Sequence, residues 1–374
     1  MDRLIRKSWW KALSIIILLY VFVVGLLVPL KPNVTTVSPS ATKTGENIEL
    51  QVQGYNTHFA SQAKDLRAWL KLDEVYGIAA TEIVTFSEQS AFFVFSLPNH
   101  IPTTDSIAQL SLIIDGPLDG VFVRPVALSV KQSYIDSSAA VVAWSQAPLS
   151  DLHQRAGITF PFRNILSETI RNIYFHVSLW LAMMFIFIAA VVYAVKYLRA
   201  QNNSVQGRVV EIDQLGVSSL ERADYWSQSL TAVGMLFGIL GLVTGSLWAR
   251  YTWGSWWNWD IKQFTSLIAL LIYAGYFVLR SAFPDPDSRA RISAVYNVFA
   301  FAALIPLIYV LPRMSGSSLH PGNGGNPALG GEDLDNTMRM VFYPAVIGWT
   351  LFGGWLASLL YRSRLVEHYY RLRL

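Results

Sequence analysis

The chain has no cysteine. That excludes a disulfide scaffold, a thiolate metal site, an iron–sulfur cluster, thiol redox chemistry and covalent haem attachment through a C-x-x-C-H motif. Charge is scarce as well: only 14% of the residues are charged, whereas 53% are hydrophobic. Soluble domains carry about 25% charged residues. The formal net charge of +4 is small and scattered, so nothing marks a nucleic-acid-binding face and no nucleic-acid partner is expected. Histidine is limited to six residues, so any imidazole chemistry has few candidates.

What the chain does have is long apolar runs and tryptophan. Residues 10–30, 177–197, 230–248, 264–279, 292–311 and 340–361 are apolar stretches near the length that crosses a bilayer, about 20 residues. Pro306 interrupts the fifth. The first run is long for a signal-peptide core. Pro29-Leu30-Lys31-Pro32 offers no small-residue cleavage site, so the run reads as a retained anchor. Basic residues set the orientation. Arg3, Arg6, Lys7 and Lys11 precede the first span, and Lys196, Arg199, Arg208 and Arg222 follow the second. Arg280, Arg289 and Arg291 separate the fourth from the fifth, and Arg362, Arg364, Arg371 and Arg373 follow the sixth. Both termini are therefore expected in the cytoplasm, with segments 31–176, 249–263 and 312–339 outside.

The first outer segment has a different texture. Residues 48–52 alternate apolar and polar, 91–95, 110–114 and 121–130 read as further strands, and Asp115-Gly116 and Asp119-Gly120 bracket a turn. The expected fold is mainly α: a polytopic bundle of six spans in the lipid bilayer with an inserted extracytoplasmic β-sandwich-like domain, immunoglobulin-like in outline. The expected division is an N-terminal transmembrane anchor at 1–31, a β-rich domain at 32–150 and a five-span membrane domain at 151–374. His58 and His100 sit beside turn residues, His153 in a polar segment and His368 in the last tail. All four read as ordinary exposed histidines, and the β domain as a partner-contacting or bracing element.

Five tryptophans fall within residues 248–259: Trp248, Trp253, Trp256, Trp257 and Trp259. An interfacial aromatic belt needs only one or two per helix end. Four packed around Gly254 and closed by Asp260 suit the face of a planar apolar ligand, with Gly254 allowing close backbone approach. Asp260 reads either as an N-cap of the fourth span or as an orienting group. His176 stands where the chain enters the second span, and His320 lies in the loop Leu319-His320-Pro321-Gly322. Both emerge on the tryptophan side. Two imidazoles and an aromatic floor on one face suit a haem with two axial nitrogen ligands. Arg250, Lys262, Arg313 and Arg339 are available for its propionates. The apolar runs contain no histidine and no acid or base suited to proton coupling.

The order Ile173-Tyr174-Phe175-His176-Val177, then Trp253-Gly254-Ser255-Trp256-Trp257-Asn258-Trp259-Asp260, then Leu319-His320-Pro321 resembles the tryptophan-rich WWD haem-handling proteins of cytochrome c biogenesis. The likeness is greatest to the cytochrome c maturation protein C (CcmC) family of System I. It covers about residues 165–362 plus the first span. It implies haem b bound on the periplasmic face of a bacterial inner membrane, with His176 and His320 as the iron ligands. Trp253, Gly254, Trp256, Trp257, Trp259 and Asp260 would form the cofactor-binding platform. It further implies transfer of haem to a CcmE-like haem chaperone, beside a CcmA/CcmB ABC transporter and a small CcmD-like subunit. The chain then reads as a binding and transfer protein more than a turnover enzyme. A membrane b-type haem oxidoreductase and a transporter moving haem across the membrane are the alternatives. Two features depart from the family pattern: the long first outer segment, and Ile261-Lys262 after the aspartate.

Overall fold

The computed structural model describes residues 2–132, 144, 149, 151–206, 211–212, 216–315, 318–320 and 334–371, with no side-chain description for 2–7 and 205. Arg208, Arg373 and the loop from Pro321 onward lie outside the described residues. The chain divides into two compact units, Val28–Ser167 and Met1–Leu27 with Glu168–Leu374.

In the first unit, alternation builds the sheets. Strand β3 (Asn47–Tyr55) buries every second residue, so Ile48, Leu50 and Val52 face inward while Glu49 and Gln51 face out. It pairs with β1 (Asn33–Ser38) and β7 (Ser90–Ser96), and β6 (Glu82–Ser87) completes a four-stranded sheet ordered β1-β3-β7-β6. A second sheet is ordered β2-β9-β8-β4-β5. It comprises β2 (Ala41–Lys43), β4 (Arg67–Lys71), β5 (Gly77–Ala79), β8 (Ile107–Gly116) and β9 (Gly120–Lys131). Leu50, Phe93 and Phe95 of one sheet share a single core with Leu70, Leu112, Ile114 and Val130 of the other, the arrangement of a β-sandwich. The expected turn joins β8 to β9, with Gly116 opposite Gly120. The chain also returns through this unit after β9: Phe160 bridges Leu30, and the carbonyl of His153 accepts from the Val121 amide.

The second unit is helical. Helix α1 (Asp2–Leu27) is followed by a 3-10 helix (Ser167–Tyr174), α2 (His176–Val205), α3 (Ser219–Trp253) and α4 (Ile261–Ala282). Helix α5 (Pro286–Ile305) runs through a π-helical turn at Pro306–Val310 into α6 (Leu311–Met314), and α7 spans Asn336–Arg371. Pro306 thus loosens the helix without ending it. Among the described residues, six helical segments are long and apolar enough to cross a membrane. Large apolar side chains such as Phe185, Val243, Leu271 and Val278 are exposed on them. Polar Ser227, Ser229, Thr231 and Asn297 are buried between them, the polarity expected of a bundle in lipid.

The helices outrun the apolar stretches. Helix α3 starts at Ser219, not 230, behind a capping box of Ser218 and Glu221, and α7 continues to Arg371. Beyond the runs 230–248 and 264–279, the added helical turns carry two buried charges. Asp224 of α3 and Arg280 of α4 are both buried and form a bidentate pair at 2.8 and 2.5 Å. Each charge is compensated by its partner, which makes the burial tolerable, and a hydropathy run ends before such residues.

The α2–α3 pair positions the site. Glycines 234, 238, 241 and 245 make one stripe on α3. Side chains built there would strike Phe187, Met183, Trp180 and His176 of α2 respectively. The antiparallel helices therefore approach closely along their length, as small residues permit, and His176 is carried in register against the last turns of α3.

Candidate functional site

Helix α3 delivers Trp248 and Trp253 in its last two turns and ends at Gly254 in the left-handed conformation (φ 82°), a common helix C-terminus. No atom lies within 4 Å of where a Gly254 side chain would begin. The loop then exposes Trp256 and Trp259, with fractional exposures of 56% and 70%. Trp257 packs edge-on against Trp259, with ring centroids 5.8 Å apart. Trp259 holds a positive φ of 55°, an uncommon conformation for an aromatic residue.

Asp260 does both things its sequence context allowed. Its Oδ1 accepts the Lys262 amide at 3.0 Å and so caps α4. The same carboxylate gathers the residues before the undescribed loop. Oδ2 accepts the Leu319 amide at 2.8 Å, while Oδ1 accepts the Ser318 hydroxyl at 3.1 Å and meets His320 Nδ1 at 2.7 Å. Burial works against ionisation of Asp260. The hydrogen bonds from His320, Leu319 and Lys262 outweigh it and hold the carboxyl well below the usual carboxylate range. An ionised carboxylate only accepts, so His320 Nδ1 carries a proton and Nε2 is the ring nitrogen left for a ligand. The imidazole packs edge-on to Trp253 at 4.9 Å.

His176 is fixed in the same way by another group. Its Nδ1 lies 2.9 Å from the Gly241 carbonyl oxygen, which can only accept, so here too Nδ1–H donates and Nε2 is the basic nitrogen. Thr244 Oγ1 stands 3.4 Å from the same Nδ1. Trp248 packs edge-on at 5.9 Å and donates its indole N–H to Thr169 Oγ1 at 3.1 Å. At Gly245 a methyl group would sit 2.5 Å from His176 Cε1. The two imidazoles thus touch tryptophans of consecutive turns of α3.

The donor set fits a haem carried as cargo. Two imidazoles held through Nδ1, with Nε2 left to bind, are what a bis-histidine iron requires. Buried Trp257 Nε1 and Asn258 Nδ2 have no acceptor among the described residues, so the loop has N–H groups to offer a carboxylate. Among the described residues no three His, Asp or Glu side chains converge on a bare metal ion. Of the expected propionate partners, Arg250 donates to the Gly254 carbonyl and Arg339 to Asn336 Oδ1 at 3.1 Å. Lys262 is half-buried and Arg313 is exposed.

Residues 163–320 match the family described as cytochrome C assembly protein, and that stretch contains His176, the tryptophan loop and His320. Within the membrane unit, the likeness to cytochrome c assembly proteins is confined to this stretch. Two kinds of curated relative align with it. The chain is 32% identical over 129 residues to "Heme exporter protein C" of Bradyrhizobium diazoefficiens, covering 34% of this chain and 48% of the relative. It is 31% identical over 121 residues to "Cytochrome c biogenesis protein CcsA" of Prochlorococcus marinus, covering 32% and 37%. A protein of the same description from Aethionema cordifolium is 34% identical over 101 residues, covering 27% and 30%. The chain spans between about a third and a half of the length of these relatives. The likeness therefore lies in residues 163–320, and the β-sandwich lies outside it.

Sequence reasoning named His176, His320, the tryptophan loop and Asp260, but not what holds the histidines. Gly241, Thr244, Gly245, Ser318 and the Asp260–His320 pair were missed. For Gly241, Thr244 and Gly245 the stripe of small residues on α3 was the visible signal. In the sandwich, His58 and His153 are not plain loop histidines. Their Nδ1 atoms meet buried Asp119 and Asp115 at 2.7 and 2.8 Å.

Proposed function

We propose that the protein binds haem b at the extracytoplasmic surface of a bacterial inner membrane and passes it to a haem chaperone for cytochrome c biogenesis. His176 and His320 ligate the iron through Nε2. Trp253, Gly254, Trp256, Trp257 and Trp259 form the platform, and Asp260 fixes His320. The observation that carries the reading is the paired orientation of the imidazoles, each tethered through Nδ1 to an oxygen that can only accept. Haem supplies the iron and the edge to be handed on. The protein's residues bind it, orient it and keep water from its face.

In this reading both termini are cytoplasmic and the β-sandwich stands outside. It is the additional partner-contacting element of an assembly with a CcmE-like chaperone, a CcmA/CcmB-type transporter and a CcmD-like subunit. Two kinds of relative support the general role: one is named for haem export and the other for cytochrome c biogenesis. The basic flanks of the six apolar helices support the orientation. In this reading the protein contributes binding and presentation of the cofactor.

The test is haem content. The wild type, purified in detergent after haem supplementation, is expected to hold about one haem with a b-type reduced spectrum. His176→Ala and His320→Ala are expected to lose it or shift its Soret band. Mixing loaded protein with a purified chaperone should move the haem absorbance to the chaperone. A wild type that takes up no haem, or variants with unaltered spectra, would refute the assignment.

A further inference from the structure

A cavity lies at the other end of the same helices. It has a volume of about 350 Å³ and opens between α2, α3 and α7, lined by Tyr193, Lys196, Ser219, Arg222, Trp226 and Tyr361 among others. Its lining contains two cations and no acid. Its aromatic wall is already assembled. Trp226 is stacked on Tyr193 at 5.5 Å and on Tyr361 at 4.4 Å, with interplanar angles of 18° and 16°. Lys196 Nζ rests 4.7 Å above the Tyr193 ring, so the ammonium is held at the cavity and not left to roam.

Position supplies the second argument. Lys196 follows His176 by twenty residues on α2, about 30 Å of helix. That is roughly the hydrocarbon thickness of a bilayer. The cavity therefore sits at the membrane interface opposite the histidine site, where rings with apolar bodies and basic heads gather. We propose that it binds the anionic head group of a membrane phospholipid, phosphatidylglycerol or cardiolipin, with the phosphate between Lys196 and Arg222. A head group with its own ammonium brings a third cation to the pair and is disfavoured. A planar macrocycle is disfavoured as well, because the indole is already stacked on two phenols and the space is small. The inference rests on the membrane reading of this chain but not on its haem site.

The full-length protein in neutral detergent is titrated with phosphatidylglycerol, cardiolipin, phosphatidylcholine and inorganic phosphate, and bound lipid is counted by native mass spectrometry. The anionic lipids are expected to be retained over phosphatidylcholine. Lys196→Gln and Arg222→Gln should each cut that preference roughly fivefold. Lys196→Arg keeps the charge and should keep the lipid. Arg199→Gln and Arg362→Gln remove a charge outside the cavity lining and should leave the preference in place, and all variants should elute from gel filtration as the wild type does. Equal retention of both lipid classes, equal losses in cavity and control variants, or displacement of the lipid by millimolar phosphate or by haem would each overturn the proposal. The haem spectrum recorded on the same samples separates the two claims. Protein that keeps phosphatidylglycerol but takes up no haem defeats the proposed function alone, and the converse defeats this inference alone.

Discussion

At the scale of single residues, Asp260 couples a helix cap to a histidine tautomer. Asp260→Asn keeps the shape but can accept through one oxygen only. It is expected to loosen both His320 and the start of α4, lowering haem affinity by roughly 10- to 100-fold and stability by about 1 kcal/mol. Haem titration and thermal melts check the two effects separately. The pH dependence has a definite sign. A carboxyl whose folded pKa is depressed contributes stability that is fully present above the unfolded carboxylate pKa of about 4 and is lost as pH falls through the lower folded value. The melting difference between wild type and Asp260→Asn should therefore be constant from neutral pH down to that range and shrink only in stronger acid. Gly245→Ala should expel His176 from its place, because the added methyl meets the imidazole itself. Loss of haem from a protein with an unchanged melting profile is the expected result. Asp260 was legible in the sequence because N-caps and site acids share a residue type, whereas its bond to His320 spans sixty residues and leaves no local trace.

At the scale of elements, the glycine stripe on α3 sets the register of α2. Gly238→Leu should drive α2 and α4 apart, since even a methyl at that position meets Met183 and Leu270, at a cost of about 1–3 kcal/mol. Gly354→Leu on α7 enters open space and should leave the melting midpoint unchanged. Equal midpoints for the two variants would contradict the packing described. The six apolar helices and the alternating strands were readable, because lipid and a sheet face impose their periods on the sequence directly. The helix ends were not. The extra turns of α3 and α4 depend on Asp224 finding Arg280 across the bundle, and neither residue is apolar. The sandwich was readable as strands with a turn at Gly116 and Gly120. Its strand order and the His–Asp pairs arise from tertiary contacts.

At the scale of the whole molecule, the chain joins a sandwich of two sheets to a helical bundle that holds two imidazoles through their Nδ1 atoms. Because the chain has no cysteine, its orientation can be mapped with single introduced thiols. Ala63→Cys should react with a membrane-impermeant maleimide in cells whose outer membrane is permeabilised, whereas Asn202→Cys should react only after lysis. The reverse pattern would invert the orientation and separate the histidine site from an extracytoplasmic acceptor. The most direct test of the central claim is the electron paramagnetic resonance spectrum of the oxidised, haem-supplemented protein. The account predicts a low-spin ferric haem with two imidazole ligands, converted to high spin by either His176→Ala or His320→Ala and restored by added imidazole. A low-spin signal that persists unchanged in both variants, or a wild type that gives no haem signal, would contradict it.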